Sequence, residues 1–242
     1  MSSRISRGCG RAWNFSNKMI HIDLNADLGE GGSCDEQILQ LINSANIACG
    51  GHAGSDEIMR RSIDLALAAG VAIGAHPGYE DRENFGRKEL QVSPEEITAL
   101  VARQVGKLAG FAGGHLHHVK PHGALYNQAD RDPLLAAAVV RGICEVSPNM
   151  ILYAPPHGSL AAAGQAAGLV VRREGFVDRR YREDGSLVPR GEEGAVITDI
   201  HAAVAQAEAL AESGRYDTLC VHGDGAQAVE MLLAVREKFG LR

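Results

Sequence analysis

Residues able to do acid–base chemistry recur in this sequence wherever a short apolar run gives out. Asp23, Asn25 and Asp27 lie in Asp23-Leu24-Asn25-Ala26-Asp27-Leu28-Gly29-Glu30. His52 follows Asn46-Ile47-Ala48-Cys49-Gly50-Gly51, and His76 follows Val71-Ala72-Ile73-Gly74-Ala75. Lys120 and His122 sit in His118-Val119-Lys120-Pro121-His122-Gly123, and His222 and Asp224 in Thr218-Leu219-Cys220-Val221-His222-Gly223-Asp224. Carboxylates, an amide, imidazoles and an ammonium together form a set suited to proton transfer and to stabilising developing charge. If the apolar runs are parallel strands, these groups emerge at one edge of one sheet, where α/β barrels and open α/β sheets place their active sites.

Period-two spacing puts Asp23, Asn25 and Asp27 on one face of a strand, which in a barrel is the interior. The same alternation across Pro121 puts Lys120 and His122 into one pocket with Asp27, His52 and His222. Buried carboxylates there need partners, so a packed layer in which Lys120 pairs with Asp23 or Asp27 is the competing reading. An Asp with two His from separate strands could hold a divalent cation that activates water. No HExxH motif and no cysteine cluster exists, so the ligand set cannot be read from spacing. His115, His117 and His118 read as structural or surface residues, and His157 and His201 as exposed ones.

The elements that must position these groups alternate about seven times between strand and helix. Strands are expected at Ile20–Leu24, Ala45–Ala48, Val71–Ala75, His117–Lys120, Met150–Ala154, Leu169–Arg173 and Thr218–Val221. Helices are expected over Asp35–Asn43, Asp56–Ala69, Ser93 to about Ala109, Asp132–Val146, Ser159–Ala167, Asp199–Ser213 and Gly225–Phe239. Ser93-Pro94-Glu95-Glu96 is a capping box with proline at the first helical position. Such alternation argues for a parallel sheet. The expectation is an α/β fold, a single (β/α)7-type barrel over residues 19–242, with an open doubly wound sheet as runner-up. Pro77–Val92 and Glu174–Gly194 are too long for simple connections and read as lids or binding segments.

At 242 residues, with 45% hydrophobic and 22% charged residues, the chain suits one globular α/β domain. Its net charge is −6, and residues 1–18 hold four basic and no acidic residues, leaving the remainder near −10. That argues against nucleic acid and anionic membrane as natural partners. No apolar run approaches a membrane span. Five cysteines without a CxxC pair or a secretory signal suggest a reducing, cytoplasmic setting. Gly223-Asp224-Gly225-Ala226-Gln227-Ala228 matches a loose dinucleotide fingerprint, but no second strand or acidic ribose partner can follow it. No Walker A sequence is present either. Residues 1–18 read as a disordered or non-native extension, with Met19 as an alternative initiator.

The motifs from Ile22 onward resemble the LamB/YcsF family. The resemblance covers Ile22–Gly31, Ser44–Gly50, Gly70–Pro77, Asn84-Phe85-Gly86-Arg87, His118–Asn127, Asp178-Arg179 with Tyr181, Asp184–Arg190 and Cys220–Asp224. It implies a barrel related to the glycoside hydrolase/deacetylase group. It also implies ATP-dependent opening of 5-oxoproline to L-glutamate in complex with two partner subunits, the complex rather than this chain using the ATP. Carried onto this sequence, Asp27 or His52 would serve as base, Lys120 and His122 would stabilise developing charge, and His222 would belong to the same catalytic set. Arg87 or Arg179 would hold the substrate carboxylate, with Asn25, His76, Asp178 and Asp224 completing the binding set and a divalent metal admissible. The same Asp and His ring admits two other readings, a metal-dependent deacetylase of N-acetyl sugars and a non-catalytic substrate-delivery subunit. Three features depart from the family pattern. Gly51 and Ser55 stand where an aromatic and an Asp are usual around His52, with Asp56 a substitute acid. The stretch before strand seven is short, and the tail before Met19 has no counterpart.

Deleting residues 1–18 is expected to leave melting temperature and activity unchanged, because the tail offers too little apolar surface to join a core. A large drop in melting temperature on truncation would contradict this.

Overall fold

A computed structural model describes residues 22–241, and the expectations for residues 1–18, for Met19 and for the start of the first strand lie outside the described residues. Seven strands run in parallel: β1 (Asp23–Leu28), β2 (Ser44–Ala48), β3 (Ala72–His76), β4 (Leu116–Val119), β5 (Ile151–Ala154), β6 (Val170–Phe176) and β7 (Thr218–Cys220). They close in sequence order, with β7 pairing back onto β1 through Asp23↔Thr218 and Asn25↔Cys220. The helices are α1 (Asp35–Leu39), α2 (Asp56–Ala69), α3 (Pro94–Ala112), α4 (Gly123–Arg131), α5 (Pro133–Val146), α6 (Ser159–Ala166), α7 (Ile200–Glu212) and α8 (Ala228–Phe239). The closed barrel is the expected fold, and the open sheet is excluded.

Local signals explain most boundaries. Ser93 caps α3 with a full capping box, Asp132 caps α5 through Leu134 N and Leu135 N, and Asp199 caps α7. Three readings need correcting. β1 extends to Leu28 rather than ending at Leu24, so Asn25 and Asp27 lie inside the strand with Asp23 rather than beyond its end. β6 extends to Phe176, so Glu174 belongs to the barrel and not to the following loop. Helix α4, directly after His122, is absent from the sequence expectation, because Gly123 opens it and no side chain caps it.

The apolar core sits outside the barrel wall. Leu24, Ala26, Leu28, Ala45, Ile47, Ile73, Ala75, Val119, Leu152 and Leu219 are buried and alternate with the inward positions. The interior itself is polar. Asp23 accepts hydrogen bonds from Ser44 Oγ at 2.8 Å and Thr218 Oγ1 at 2.5 Å. One layer up, Asn25 Nδ2 donates to Thr218 at 2.7 Å, and Asn46 Nδ2 donates to Asn25 Oδ1 at 2.8 Å and to Asp27 Oδ1 at 2.9 Å. His118 Nε2 reaches Asn46 Oδ1 at 2.8 Å, and its ring stacks on Tyr153 at 4.1 Å. Burial first of all holds His118 well below the usual imidazole range, so it is neutral and structural, as expected. His157 and His201 are exposed, as expected.

Gly74 makes this layer possible. A Cβ there would collide with the His118 imidazole. Gly74→Ala is therefore expected to lower stability by about 1–3 kcal/mol, since a packed interior cannot absorb the added methyl. Chemical denaturation checks this, and an unchanged midpoint would contradict it.

Candidate active site

The C-terminal ends of the strands open into a cavity of about 350 Å³. Asp27, His76, Lys120, His122, Tyr126, Glu174 and Phe176 form its floor and wall, and His222, Arg87, Arg179 and Arg190 line it towards its mouth. The sequence-derived residues Asp27, Lys120, His122, His222, His76, Arg87 and Arg179 all line it. Asn25 lies one layer below, His52 behind His122, and Asp178 and Asp224 support residues at the mouth.

Lys120 is almost wholly buried at the centre of the floor, 2% exposed. Its Nζ donates to Asp27 Oδ1 at 2.8 Å and to Cys220 Sγ at 3.1 Å. Glu174 Oε1 is 2.9 Å from the same nitrogen but off the direction of an aligned hydrogen bond. Burial pushes the Lys120 pKa down, yet Asp27, Cys220 and Glu174 overrule it and hold the ammonium well above the usual lysine range. Burial likewise pushes Asp27 up, while His76 and Lys120 hold it well below the usual carboxylate range. Asp27 is thus an ionised partner that takes up protons poorly.

A second cluster lies against Asp27. His76 Nδ1 contacts the Lys120 carbonyl at 2.7 Å, and its Nε2 lies 2.9 Å from His122 Nδ1 and 3.4 Å from Asp27 Oδ2. Burial lowers the His76 pKa, but the Asp27 charge overrules it, so the net shift is upward. His122 Nε2 faces the Phe85 carbonyl at 2.9 Å. Phe85 adopts φ 54°, a left-handed conformation rare for a bulky residue, and this turns its carbonyl onto the imidazole. His52 stacks flat on His122, centroids 3.7 Å apart, and pairs through Nε2 with Glu30 at 2.9 Å. Burial holds both His52 and His122 below the usual range.

At the mouth, Asp178 accepts from His222 N at 3.1 Å and from His222 Nδ1 at 2.9 Å. Burial raises the Asp178 pKa, but His222 overrules it and the net shift is downward. The His222 ring stacks on Phe176 at 5.4 Å. Arg87 pairs with Asp224 at 2.5 Å, and Arg190 lies 3.6 Å from the same carboxylate. Arg179 donates to the Val188 carbonyl at 2.7 Å, and burial together with Arg190 depresses its pKa. Three guanidinium groups thus share few counter-charges around one opening.

The departures around His52 have physical counterparts. A Cβ on Gly51 would meet Gln104 Nε2 at 2.5 Å and Gly78 O at 2.7 Å, so the Gln104 amide fills the space of a larger side chain. Ser55 caps α2. Asp56 is no substitute acid, because it points to the surface and pairs with Lys107. The acid at His52 is Glu30, which spacing does not single out because the chain turns at Gly29, φ 72°, after β1 ends. Glu174 also escapes the sequence reading. Its signal is the alternation Arg172, Glu174, Phe176, obscured by the neighbouring charge on Arg173. Glu174 Oε2 accepts from Tyr126 at 2.9 Å.

Fold and site together define a class, a closed parallel α/β barrel with a charged small-molecule cavity at the C-terminal ends of its strands. Residues 22–241 match the LamB/YcsF family, and the chain belongs to it. It is 47% identical over 241 residues to a protein of Methylococcus capsulatus named as the A subunit of 5-oxoprolinase, covering 91% of this chain and 93% of that one. It also resembles the crystal structure of the lactam utilization protein from Thermus thermophilus, with a TM-score of 0.83 and 40% identity, over 90% of this chain and 96% of that one.

The Lys120 environment makes a direct prediction. Lys120→Met is expected to cost about 3–5 kcal/mol of stability, because two buried carboxylates lose their counter-charge. The depressed Asp27 pKa contributes stability that is present above the unfolded value of about 3.9 and lost as pH falls through the folded value. The gap between wild type and variant should therefore be widest near neutral pH and narrow on acidification below about pH 4. Urea titrations at several pH values check this, and a gap independent of pH would contradict it.

Proposed function

We propose that this chain is the lactam-handling subunit of an ATP-dependent 5-oxoprolinase, which opens 5-oxoproline to L-glutamate together with two partner subunits in the cytoplasm. The observation that carries the reading is the cavity, whose size and whose arginine mouth over an acid–base floor suit a small cyclic amide bearing a carboxylate. Kinship with proteins named for 5-oxoprolinase and lactam utilization supports it.

A lactam is a poor electrophile, and phosphorylation of its oxygen by the complex activates the ring carbon to attack by water. The adduct opens by breaking its C–N bond as the nitrogen takes up the proton removed from water, and the γ-acyl phosphate that remains is hydrolysed by a second water to L-glutamate and phosphate. Arg179 and Arg190, with Arg87, hold the carboxylate and the added phosphoryl charge. His222, fixed through Nδ1 by Asp178, presents its other ring nitrogen as the general base for water. Glu174 Oε1, a buried acceptor with no aligned donor among the described residues, receives the ring N–H. Lys120 fixes Asp27 and balances the charge of Glu174 rather than reaching the substrate, since its nitrogen donates to Asp27, Cys220 and Asn25 within the floor. His52 is set off the cavity wall and supports His122.

No phosphate-cradling motif is available for ATP, so the isolated chain is expected to release no glutamate from 5-oxoproline plus ATP, while the complex with both partners does. In that complex His222→Asn should lower turnover about 10²–10⁴-fold with assembly intact. Robust glutamate formation by the chain alone would defeat the partner requirement. Unchanged turnover in His222→Asn would instead favour a chain that only delivers substrate.

A further inference from the structure

We infer that Glu30, His52, His76 and His122 form a binding site for one divalent transition-metal ion. One ligand atom from each lies within 4.8 Å of the others, and the four residues come from the strand ends and following segments of β1, β2, β3 and β4. The hydrogen bonds assign the tautomers. His76 Nδ1 must carry the hydrogen donated to the Lys120 carbonyl at 2.7 Å, and His122 Nε2 the hydrogen donated to the Phe85 carbonyl at 2.9 Å. Without a further proton, His76 Nε2 and His122 Nδ1 are both bare lone pairs facing each other at 2.9 Å, and Asp27 Oδ2 stands 3.4 Å from the first, which draws positive charge to this point. Glu30 Oε1 lies 3.4 Å from the second and 3.7 Å from the first.

Lone pairs and a carboxylate converging this closely repel unless a positive charge lies between them. A single proton can join only the two imidazoles. A divalent ion meets Glu30 as well, and His52 Nε2, 2.9 Å from the same carboxylate oxygen, completes the set. The backbone carbonyls on the far nitrogens of His76 and His122 orient these rings as outer partners orient metal-ligating histidines. His52 Nδ1 has no such partner among the described residues, so Glu30, His76 and His122 are the defining donors.

Three imidazoles and one carboxylate suit Zn²⁺, Co²⁺ or Ni²⁺ and disfavour Mg²⁺ and Ca²⁺, which take oxygen ligands. His76 and His122 line the cavity whereas Glu30 and His52 do not, so a cavity occupant would meet the ion beside Asp27. An ion there would polarise a carbonyl oxygen or acidify a water. The site stands on these contacts alone and does not require the lactam reading.

The test uses the full chain, free of any affinity tag, stripped with chelator and titrated with Co²⁺ and separately with Zn²⁺. Calorimetry should give one ion per chain with Kd below about 10 μM, and Co²⁺ should develop the visible absorption of an imidazole-ligated ion. His122→Asn and Glu30→Gln should each weaken binding by at least about tenfold. Failure of wild type to bind saturably, a hexa-aquo-like Co²⁺ spectrum, or equal affinity in both folded variants would overturn the proposal in favour of a proton shared by His76 and His122. If either variant fails to fold, the wild-type stoichiometry and Co²⁺ spectrum decide alone.

Discussion

One buried ammonium holds the barrel mouth together. Lys120 stands between Asp27 on β1, Glu174 on β6 and Cys220 on β7, and so links elements far apart in the chain at the level where the strands end. Taking these charges out of water is costly, and their attraction offsets that cost only while the geometry is kept. The layers beneath serve that geometry. Asn46 orients Asp27, His118 orients Asn46, and Thr218 joins Asn25 to Asp23. A polar interior satisfied in this way specifies one arrangement where a greasy one would tolerate several.

The arrangement separates two kinds of residue that look alike in composition. Asp27 and Lys120 are locked in their charged forms by one another, which makes them poor at exchanging protons and good at fixing a field. His222 is tethered by one ring nitrogen to Asp178 and stacked on Phe176, which leaves its other nitrogen towards the cavity. The residue with one engaged nitrogen suits proton exchange, and those with saturated contacts set the electrostatic background.

Much of this is legible in the sequence because strand alternation is a simple rule. Asp23, Asn25 and Asp27 share a face, Lys120 and His122 share a cavity, and the barrel closes as the strand–helix alternation implies. The rule fails where the chain leaves regular geometry. Glu30 follows a glycine turn, so no periodicity points to it, and its partnership with His52 is set by tertiary packing. Glu174 sits in a strand whose alternating positions both carry charge, which hides the inward face. The helix after His122 starts without a side-chain cap, so its only local signal is the glycine that opens it.

The seam between β1 and β7 has a consequence for how the molecule comes into being. Asp23 and Thr218, joined by a hydrogen bond, are 195 residues apart, and β7 contributes only three residues. During synthesis at roughly 5–20 residues per second, the acidic face of β1 waits some tens of seconds for the strand that closes over it. Until then Asp23, Asn25 and Asp27 stay hydrated on an unfinished edge, and loop-closure entropy must be overcome before their contacts return anything. The cavity is therefore among the last parts of the nascent chain to take shape, and a chain cut short before β7 would expose charged strand edges instead of a site.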